Sequence, residues 1–259
     1  MIGWNDFIFF ASASAILWIA GAVLSFKGNR KWALSGAIAG SLVFFCFICG
    51  LWFTLERPPM RTQGETRLWY SFFISLIGII VYSRWRFRWI LSFSSLMAIV
   101  FTCINILKPE IHSKALMPAL QSVWFVPHVA VYMFAYAMMG AATLFAIYLW
   151  WKSSRRDIMP DEMTACDTLV KIGWAFLTLG MVMGSLWAKE AWGDYWVWDP
   201  KETWAAATWL AYLLYMHLRK HVKDHDYTFA LLIFCFILLQ MCWWGINFLP
   251  AARASVHVY

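Results

Sequence analysis

Long, uninterrupted apolar segments constrain the fold of this chain more than any other feature of its sequence. Several of them reach 18 residues or more, and a helix needs about 20 residues to cross the roughly 30 Å hydrocarbon core of a bilayer. Lipid offers the backbone no hydrogen bonds, so a spanning segment must belong to a helix or to a closed barrel. The segments are continuous rather than alternating, which favours helices. The sequence therefore predicts an all-α, polytopic transmembrane helical bundle.

We predict about eight transmembrane helices within one integral membrane domain over residues 1–259. Only 14% of the residues are charged, whereas soluble domains carry about 25%. No connecting segment is long enough to bury a core of its own. The predicted spans are 7–25, 33–54, 68–83, 89–107, 127–151, 168–187, 204–219 and 228–247.

The basic residues indicate how these spans cross the membrane. Three Lys or Arg residues follow each of the first, third, fifth and seventh spans, and the positive-inside rule places such exits in the cytoplasm. Both termini and the loop at about 188–203 are then expected on the extracytoplasmic side. Topology also accounts for the net charge of +7, so we predict a lipid bilayer around the chain and no nucleic-acid partner.

Two local features of the sequence argue against a cleaved leader and against thiol chemistry. The first apolar segment lacks a basic n-region and a small-residue cleavage site, so no cleavable signal peptide is expected. Cys46 and Cys49 form a C-x-x-C pair, but a redox pair needs a polar setting that stabilises a thiolate. Their neighbours are apolar, and we interpret both cysteines as small packing residues of a helix.

The stretch AWGDYWVWDPKETW at 191–204 interleaves Trp and Tyr with Asp, Lys and Glu. An aromatic belt at the membrane surface would explain the Trp residues, but it does not require charges at single-residue spacing between them. A helix over 192–199 would place four side chains on one face: Trp192, Tyr195, Trp196 and Asp199. Such a plate, edged by polar groups, suits a flat apolar ligand with ionised substituents, such as haem. Both interpretations stay open from the residues alone.

Histidines on the same side of the membrane favour the haem interpretation. His128 begins the fifth span from the outer side, and His257 lies in the outer C-terminal tail. Imidazole is the commonest metal ligand, and haem iron is held by axial side chains of this kind. His217 lies inside the seventh span near its cytoplasmic end. An ionisable group there is costly and marks function by default, although it is also close enough to the interface to reach water.

The sequence resembles a known family through these same residues. WGDYWVWDPKETW resembles the tryptophan-rich WWD signature of haem-handling proteins in cytochrome c maturation, and WDPKETWAAATWLAYLLYMHLR is most similar to the CcsA (ResC) branch of System II. Three further segments are similar to other elements of that branch: ERPPMRTQGETRLWYS, ALMPALQSVWFVPHVAVYMFAYA and GINFLPAARASVHVY. The resemblance covers most of residues 56–259, and the first fifty residues resemble the family only as apolar helices.

The resemblance implies a set of site residues. His128 and His257 match the external pair that ligates haem iron, and they are the expected catalytic residues. His217 matches a transmembrane histidine that holds haem deeper in the membrane, so three iron ligands are expected in all. The WWD surface would consist of Trp192, Gly193, Tyr195, Trp196, Trp198, Asp199, Pro200 and Trp204.

The resemblance also implies a function. The chain would act as a cytochrome c synthase (haem lyase) component that delivers haem b across the membrane and attaches it to the C-x-x-C-H motif of apocytochrome c. No histidine precedes His112, so the second ligand of the deeper site would come from a CcsB-like partner. Lys201, or Arg57 and Arg61, would pair with the propionates. The expected location is the bacterial cytoplasmic membrane or its thylakoid equivalent.

Three alternatives remain. A CcmC-type protein uses a WWD surface to hand haem to a chaperone. A transporter would move haem or another small molecule without a ligation reaction. A structural membrane subunit would use its aromatic residues only as anchors.

Overall fold

The computed structural model describes residues 2–109, 122–155, 158–222 and 225–250. Within these ranges the chain is helical and has no strand, which confirms the all-α prediction. The described part contains eight α-helices: α1 (Phe7–Phe26), α2 (Arg30–Leu55), α3 (Gln63–Trp85), α4 (Arg88–Leu107), α5 (Phe125–Ser153), α6 (Pro160–Trp192), α7 (Pro200–His221) and α8 (His225–Trp243). Two short 3-10 helices, Trp4–Asp6 and Gly245–Phe248, accompany them.

Each helix covers most of one predicted span, and most helices extend beyond it; α8 instead ends at Trp243, before the predicted end at 247. In the described part of the chain, seven are long and apolar enough to cross a membrane, namely α1 to α6 and α8. Helix α7 falls short because it carries several Tyr, Trp and Thr residues and a charged first turn. Helix α6 begins at Pro160, well before the predicted start at 168, because Glu162 caps it by accepting the Met159 N–H at 2.9 Å. Polar first turns of this kind are invisible to a search for apolar runs.

The chain divides into two compact units, the first of which comprises residues 1–116. In this unit α1 packs against α2 and α4, and α3 packs against α4. Trp18 of α1 is fully buried, and its Nε1 donates to Ser41 Oγ of α2 at 3.1 Å. Ser41 Oγ lies 3.0 Å from Ser75 Oγ of α3. A short chain of polar groups therefore joins three helices inside an apolar interior.

The second unit comprises residues 117–259 and contains α5 to α8. Helix α5 packs against α6 and α8, and α7 packs against the same two helices. Helix α5 buries small side chains, including Ala135, Ala137, Ala141, Ala142 and Ala146. Helix α6 meets α5 side chains at three glycines, Gly173, Gly180 and Gly184. Small residues let two helices approach closely, so this pair is a tightly packed frame for the site. The single membrane domain over residues 1–259 stays a prediction.

Candidate functional site

The Trp-rich segment begins where α6 ends. Helix α6 stops at Trp192, and Gly193 follows with φ +95°, a left-handed conformation that glycine adopts without steric cost. Gly193 N–H donates to Lys189 O at 3.1 Å and closes the helix. Residues 193–199 are not helical. The helical arrangement of 192–199, which would have placed four of its side chains on one face, therefore does not form, because a glycine ends one helix there and Pro200 begins the next.

The charged residues of the motif build the start of α7. Asp199 is the N-cap residue, and its Oδ1 accepts the Lys201 N–H at 2.8 Å. Pro200 occupies the first helical position, where its missing N–H costs nothing. Glu202 is buried, and its Oε2 accepts the Asp199 N–H at 3.1 Å and the Val197 N–H at 2.9 Å. Asp199 and Glu202 thus hold the loop backbone. This structural role of Asp199 and Glu202 was not predicted, although D-x-x-E before an apolar helix is a capping-box pattern.

Trp198 has the most unusual backbone of the segment. Its φ is +59°, and its side chain is 69% exposed. A non-glycine residue in this region costs on the order of 1–3 kcal/mol, and such residues cluster at functional sites. The conformation is held from both sides, because Thr203 Oγ1 donates to Trp198 O at 3.2 Å and Glu202 binds the amides of the two neighbouring residues. The chain therefore holds an exposed Trp in a strained turn.

The aromatic side chains separate into two groups rather than one plate. The first, the buried aromatic cluster, comprises Phe125, Trp187 and Trp192, with ring centroids 5.1 Å apart for the first pair and 4.8 Å for the second. The second, the exposed aromatic loop, comprises Tyr195, Trp196 and Trp198. Trp196 and Trp198 meet edge to face at 5.7 Å.

Tyr195 is tied to α6 by a cation. Lys189 Nζ lies 5.3 Å from the centre of its ring, and the same ammonium donates to Gly193 O. Such a cation–π contact fixes the orientation of an exposed ring at little cost. Tyr195 is 55% exposed, so the loop offers aromatic surface to whatever approaches it.

His128 lies directly beside the buried aromatic cluster. Its ring centroid is 5.5 Å from that of Trp187, at an interplanar angle of 30°, and 4.6 Å from that of Tyr132. His128 Nδ1 lies 2.8 Å from Gly180 O. A carbonyl oxygen only accepts hydrogen bonds, so Nδ1 carries the proton and Nε2 of the neutral ring holds the lone pair. The ring of Trp187 thus lies between His128 and Trp192, the first Trp of the Trp-rich segment.

The other predicted site residues do not lie beside His128 and the buried aromatic cluster in the described part of the structure. His257 lies outside the described residues. Trp204 is half-buried in the first turns of α7. His217 is exposed near the other end of α7, with its ring 5.1 Å from that of His221. At about 1.5 Å per residue, the helix places His217 about 25 Å from Pro200. His217 is therefore remote from the exposed aromatic loop.

The predicted propionate cations differ in their settings. In the first unit, Arg57 binds Glu65 with two hydrogen bonds of 2.9 and 2.8 Å, and Glu65 is 1% exposed. Burial lowers the pKa of Arg61, and the neighbouring Arg57 lowers it further. In the second unit, Lys201 precedes the apolar part of α7. Burial lowers its pKa, against the raising effect of Cys242 and Asp199. Lys201 is thus the one of the three that lies in the same unit as the Trp-rich segment.

The residues present fit a haem group. Trp196 Nε1 is buried and has no hydrogen-bond partner within the described ranges, and an indole N–H is a donor for a carboxylate such as a propionate. The exposed aromatic loop supplies flat apolar surface. His128 supplies an imidazole whose Nδ1–H is already bound to a carbonyl, the usual arrangement of metal-ligating histidines. Among the described residues, no group of three or more His, Cys, Asp or Glu side chains is placed to hold a bare metal ion.

Comparisons with known proteins show the family to which the chain belongs. The chain matches the family model described as cytochrome C assembly protein over residues 8–252. It is 27% identical to the cytochrome c biogenesis protein CcsA of Panax ginseng, over 81% of this chain and 82% of that protein. It is 30% identical to CcsA of Atropa belladonna over 80% of each chain.

One solved structure has the same fold. The cytochrome c haem lyase CcmF superimposes with a TM-score of 0.66 at 19% identity. The superposition covers 92% of this chain and 46% of that one, so the chain spans less than half the length of that lyase. At this level of identity the likeness concerns the fold alone.

Proposed function

The chain belongs to the cytochrome C assembly protein family, and on that premise we propose that it attaches haem b to apocytochrome c on the extracytoplasmic side of its membrane. It is an integral membrane protein of the CcsA type and takes part in cytochrome c biogenesis. In the proposed role it is a cytochrome c synthase component that works with a CcsB-like partner. The membrane is the bacterial cytoplasmic membrane or its thylakoid equivalent.

The observation that carries the proposal is the connection between His128 and the Trp-rich segment. The rings of His128, Trp187 and Trp192 follow one another at 5.5 and 4.8 Å. An imidazole whose Nδ1 is bound to a carbonyl therefore stands beside the buried aromatic cluster, and the exposed aromatic loop follows Trp192 along the chain. An imidazole close to aromatic surface suits a porphyrin whose iron takes a histidine ligand. In the proposal His128, through Nε2, and His257 would be the residues that hold the haem iron.

The polar groups of the site would orient the haem. Lys201 and the Trp196 indole N–H, which both lie in the second unit, are the proposed propionate partners. Arg57 already neutralises Glu65, so Lys201 is the first choice. Charge-assisted hydrogen bonds of this kind are about twice as strong as neutral ones. The exposed aromatic loop would pack against the macrocycle.

The chemistry needs little more from the protein than positioning. Each thioether bond forms when a cysteine S–H adds across a haem vinyl group: sulfur bonds to one vinyl carbon, hydrogen to the other, and no net oxidation occurs. The histidine of the C-x-x-C-H motif would take over one axial position and bring both thiols to the vinyl groups. Holding the reacting groups together provides a large effective molarity. His128, His257 and the exposed aromatic loop fix the haem in that position.

His217 would hold haem before it reaches the outer site. Its exposed position near the end of α7 leaves its ring accessible to a second chain. In the proposal a histidine of the CcsB-like partner would hold the haem together with His217. From there the haem would have to travel roughly 25 Å, the rise from His217 to Pro200 at 1.5 Å per residue, to reach the exposed aromatic loop.

An absorption spectrum of the detergent-purified chain, co-expressed with a CcsB-like protein, tests the proposal. We expect a Soret band with sharp ferrous α and β bands, as for a low-spin, bis-His haem, and we expect His128→Ala to lose these bands until imidazole is added. His225→Ala, which removes an exposed histidine at the start of α8, is the control and should leave the spectrum unchanged. A spectrum that is the same in His128→Ala and in the parent protein would contradict the ligand assignment.

Two alternatives predict other results in cells. A CcmC-type protein would pass haem to a chaperone, and its loss would leave the chaperone without haem. If the chain were only a transporter, haem supplied outside the cytoplasm would make it unnecessary. Such haem would then restore cytochrome c in cells that lack the chain. Under our proposal external haem restores nothing, because the attachment step itself is missing.

A further inference from the structure

The setting of His128 depends on two glycines of α6. Gly180 and Gly184 lie one turn apart on the face that meets α5. A Cβ atom at Gly184 would lie 2.7 Å from His128 Cε1 and 2.8 Å from Nδ1. A Cβ atom at Gly180 would lie 3.0 Å from Tyr132 Cδ1. The imidazole thus rests in space that only a residue without a side chain leaves open.

One of these glycines, Gly180, also provides the His128 ring with its hydrogen-bond partner. His128 Nδ1–H donates to Gly180 O at 2.8 Å, and this contact requires the ring to lie close to the α6 backbone. The ring reaches the backbone because Gly184, one turn later, presents no Cβ. Tyr132 packs edge-on against His128 at 4.6 Å and occupies the corresponding gap at Gly180. The two glycines therefore seat two neighbouring aromatic rings of α5.

We propose that Gly180 and Gly184 are positioning residues for His128, which fix its tautomer and direct its Nε2 to the haem iron. The inference rests on the proposed function, in which His128 is an axial ligand. Partners that orient a metal-bound histidine set its proton position, its ring plane and its basicity. A methyl group at position 184 would push the ring away from Gly180 O and break both constraints.

Gly184→Ala is the direct test. We expect the ferrous spectrum to shift from low-spin to high-spin and haem affinity to fall about ten-fold or more, as when the partner of a metal-ligating histidine is disturbed. Added imidazole should restore the low-spin bands, because the empty axial position accepts it. Gly173→Ala is the matched control in the same helix. Its Cβ would be similarly crowded, with Met139 Sδ at 3.0 Å and Met138 Cβ at 3.1 Å, but it would not meet His128, so the spectrum should stay unchanged.

A double variant shows whether Gly184 acts through His128. Removing the imidazole makes room for the new methyl group, so His128→Ala/Gly184→Ala should fold and have the same imidazole-rescued spectrum as His128→Ala alone. Two substitutions that act through one contact are not additive. Folding of the double variant when Gly184→Ala alone fails to accumulate would also support the inference.

The possible failures are distinguishable. If His128→Ala retains the parent spectrum, the proposed axial role is wrong, whatever Gly184→Ala does. If His128→Ala loses the low-spin bands and Gly184→Ala retains them, the axial role stands and the positioning inference is wrong. If both Gly184→Ala and the double variant fail to accumulate, Gly184 serves helix packing in general, and the inference is again overturned.

Discussion

Asp199 and Glu202 cap the start of α7 together: Asp199 Oδ1 accepts the Lys201 N–H at 2.8 Å, and Glu202 Oε2 accepts the Asp199 N–H at 3.1 Å. This relationship explains why carboxylates alternate with Trp residues in a largely apolar chain. The acidic side chains are buried structural groups that fix the backbone. The aromatic side chains Tyr195 and Trp198 are left on the outside of the fixed loop.

Replacing Glu202 should loosen this loop. Glu202→Ala removes the acceptor for the amides of Val197 and Asp199. The Asp199 amide is buried, and leaving a buried donor unsatisfied costs about 1–3 kcal/mol; the part-buried Val197 amide should add less. Glu202→Gln retains one carbonyl acceptor and should cost less. Thermal unfolding in detergent measures both, and limited proteolysis detects the opened loop. Equal melting temperatures for the two variants would show that Glu202 does not act through these bonds.

Gly193 should resist substitution for conformational reasons alone. Its φ is +95°, and no atom lies within 4 Å of the position of a Cβ. Gly193→Ala should therefore cost about 1–2 kcal/mol through the left-handed backbone without any clash. Gly3→Ala is a matched control, because Gly3 also has open space but an extended backbone at φ −131°. The same loss of melting temperature in both variants would refute the conformational explanation.

Much of the helical fold is predictable from the apolar runs, because each run long enough to span a bilayer has to be helical. The loop at 193–199 follows from two residues that act on the backbone directly, Gly193 and Pro200. The spacing of Trp192, Tyr195 and Trp196 would also fit one face of a helix, but α6 ends at the glycine and α7 begins at the proline before such a helix can form.

The surroundings of His128, unlike the helices, could not be predicted from the sequence. The sequence indicates a histidine at the outer end of a span, and nothing local shows which residues surround it. The contacts with Gly180 and Trp187 join residues more than fifty positions apart, so they arise only when α5 packs against α6. His217 was correctly predicted to be remote from the Trp-rich segment, because its position in α7 follows from helix geometry alone.

Trp187 should be the most sensitive residue of the buried aromatic cluster. It is 2% exposed and contacts Phe125, His128 and Trp192. Trp187→Ala should cost about 3–5 kcal/mol, because it leaves a cavity in a packed interior. Trp187→Phe keeps a ring and should cost less, while still shifting the spectrum of bound haem. Circular dichroism melts give the loss of stability in each variant, and absorption spectra show the effect on bound haem. A larger loss of stability in Trp187→Phe than in Trp187→Ala would contradict the prediction.

The buried ion pair of the first unit should matter for stability. Glu65 accepts two hydrogen bonds from Arg57 and one each from the backbone N–H groups of Arg61 and Thr62. Breaking a buried pair by removing one charge costs about 3–5 kcal/mol. Glu65→Gln should therefore lower the melting temperature strongly, whereas Glu56→Gln, at an exposed position, should not. Similar melting temperatures would mean that the loop does not depend on the pair.

Trp198 allows backbone strain and ligand binding to be separated. Its φ of +59° is costly for any residue with a side chain, whereas glycine occupies this region freely. The side chain is 69% exposed, so its removal sacrifices little buried surface. Trp198→Gly should therefore raise the melting temperature, by an amount equivalent to about 1 kcal/mol of relieved strain. The same variant should bind haem more weakly, because the loop loses its most exposed ring.

Trp198→Ala and Trp198→Phe complete this test. Alanine removes the ring but keeps the strain, so its melting temperature should stay near that of the parent protein while haem binding falls as it does in Trp198→Gly. Phenylalanine keeps an aromatic ring and should retain most of the haem. If haem titration gives equal affinities for the Trp, Phe, Ala and Gly forms, the exposed ring has no role in binding. The strained turn would then have to be explained by the capping of α7 alone, because Glu202 and Thr203 hold the backbone whatever side chain it carries.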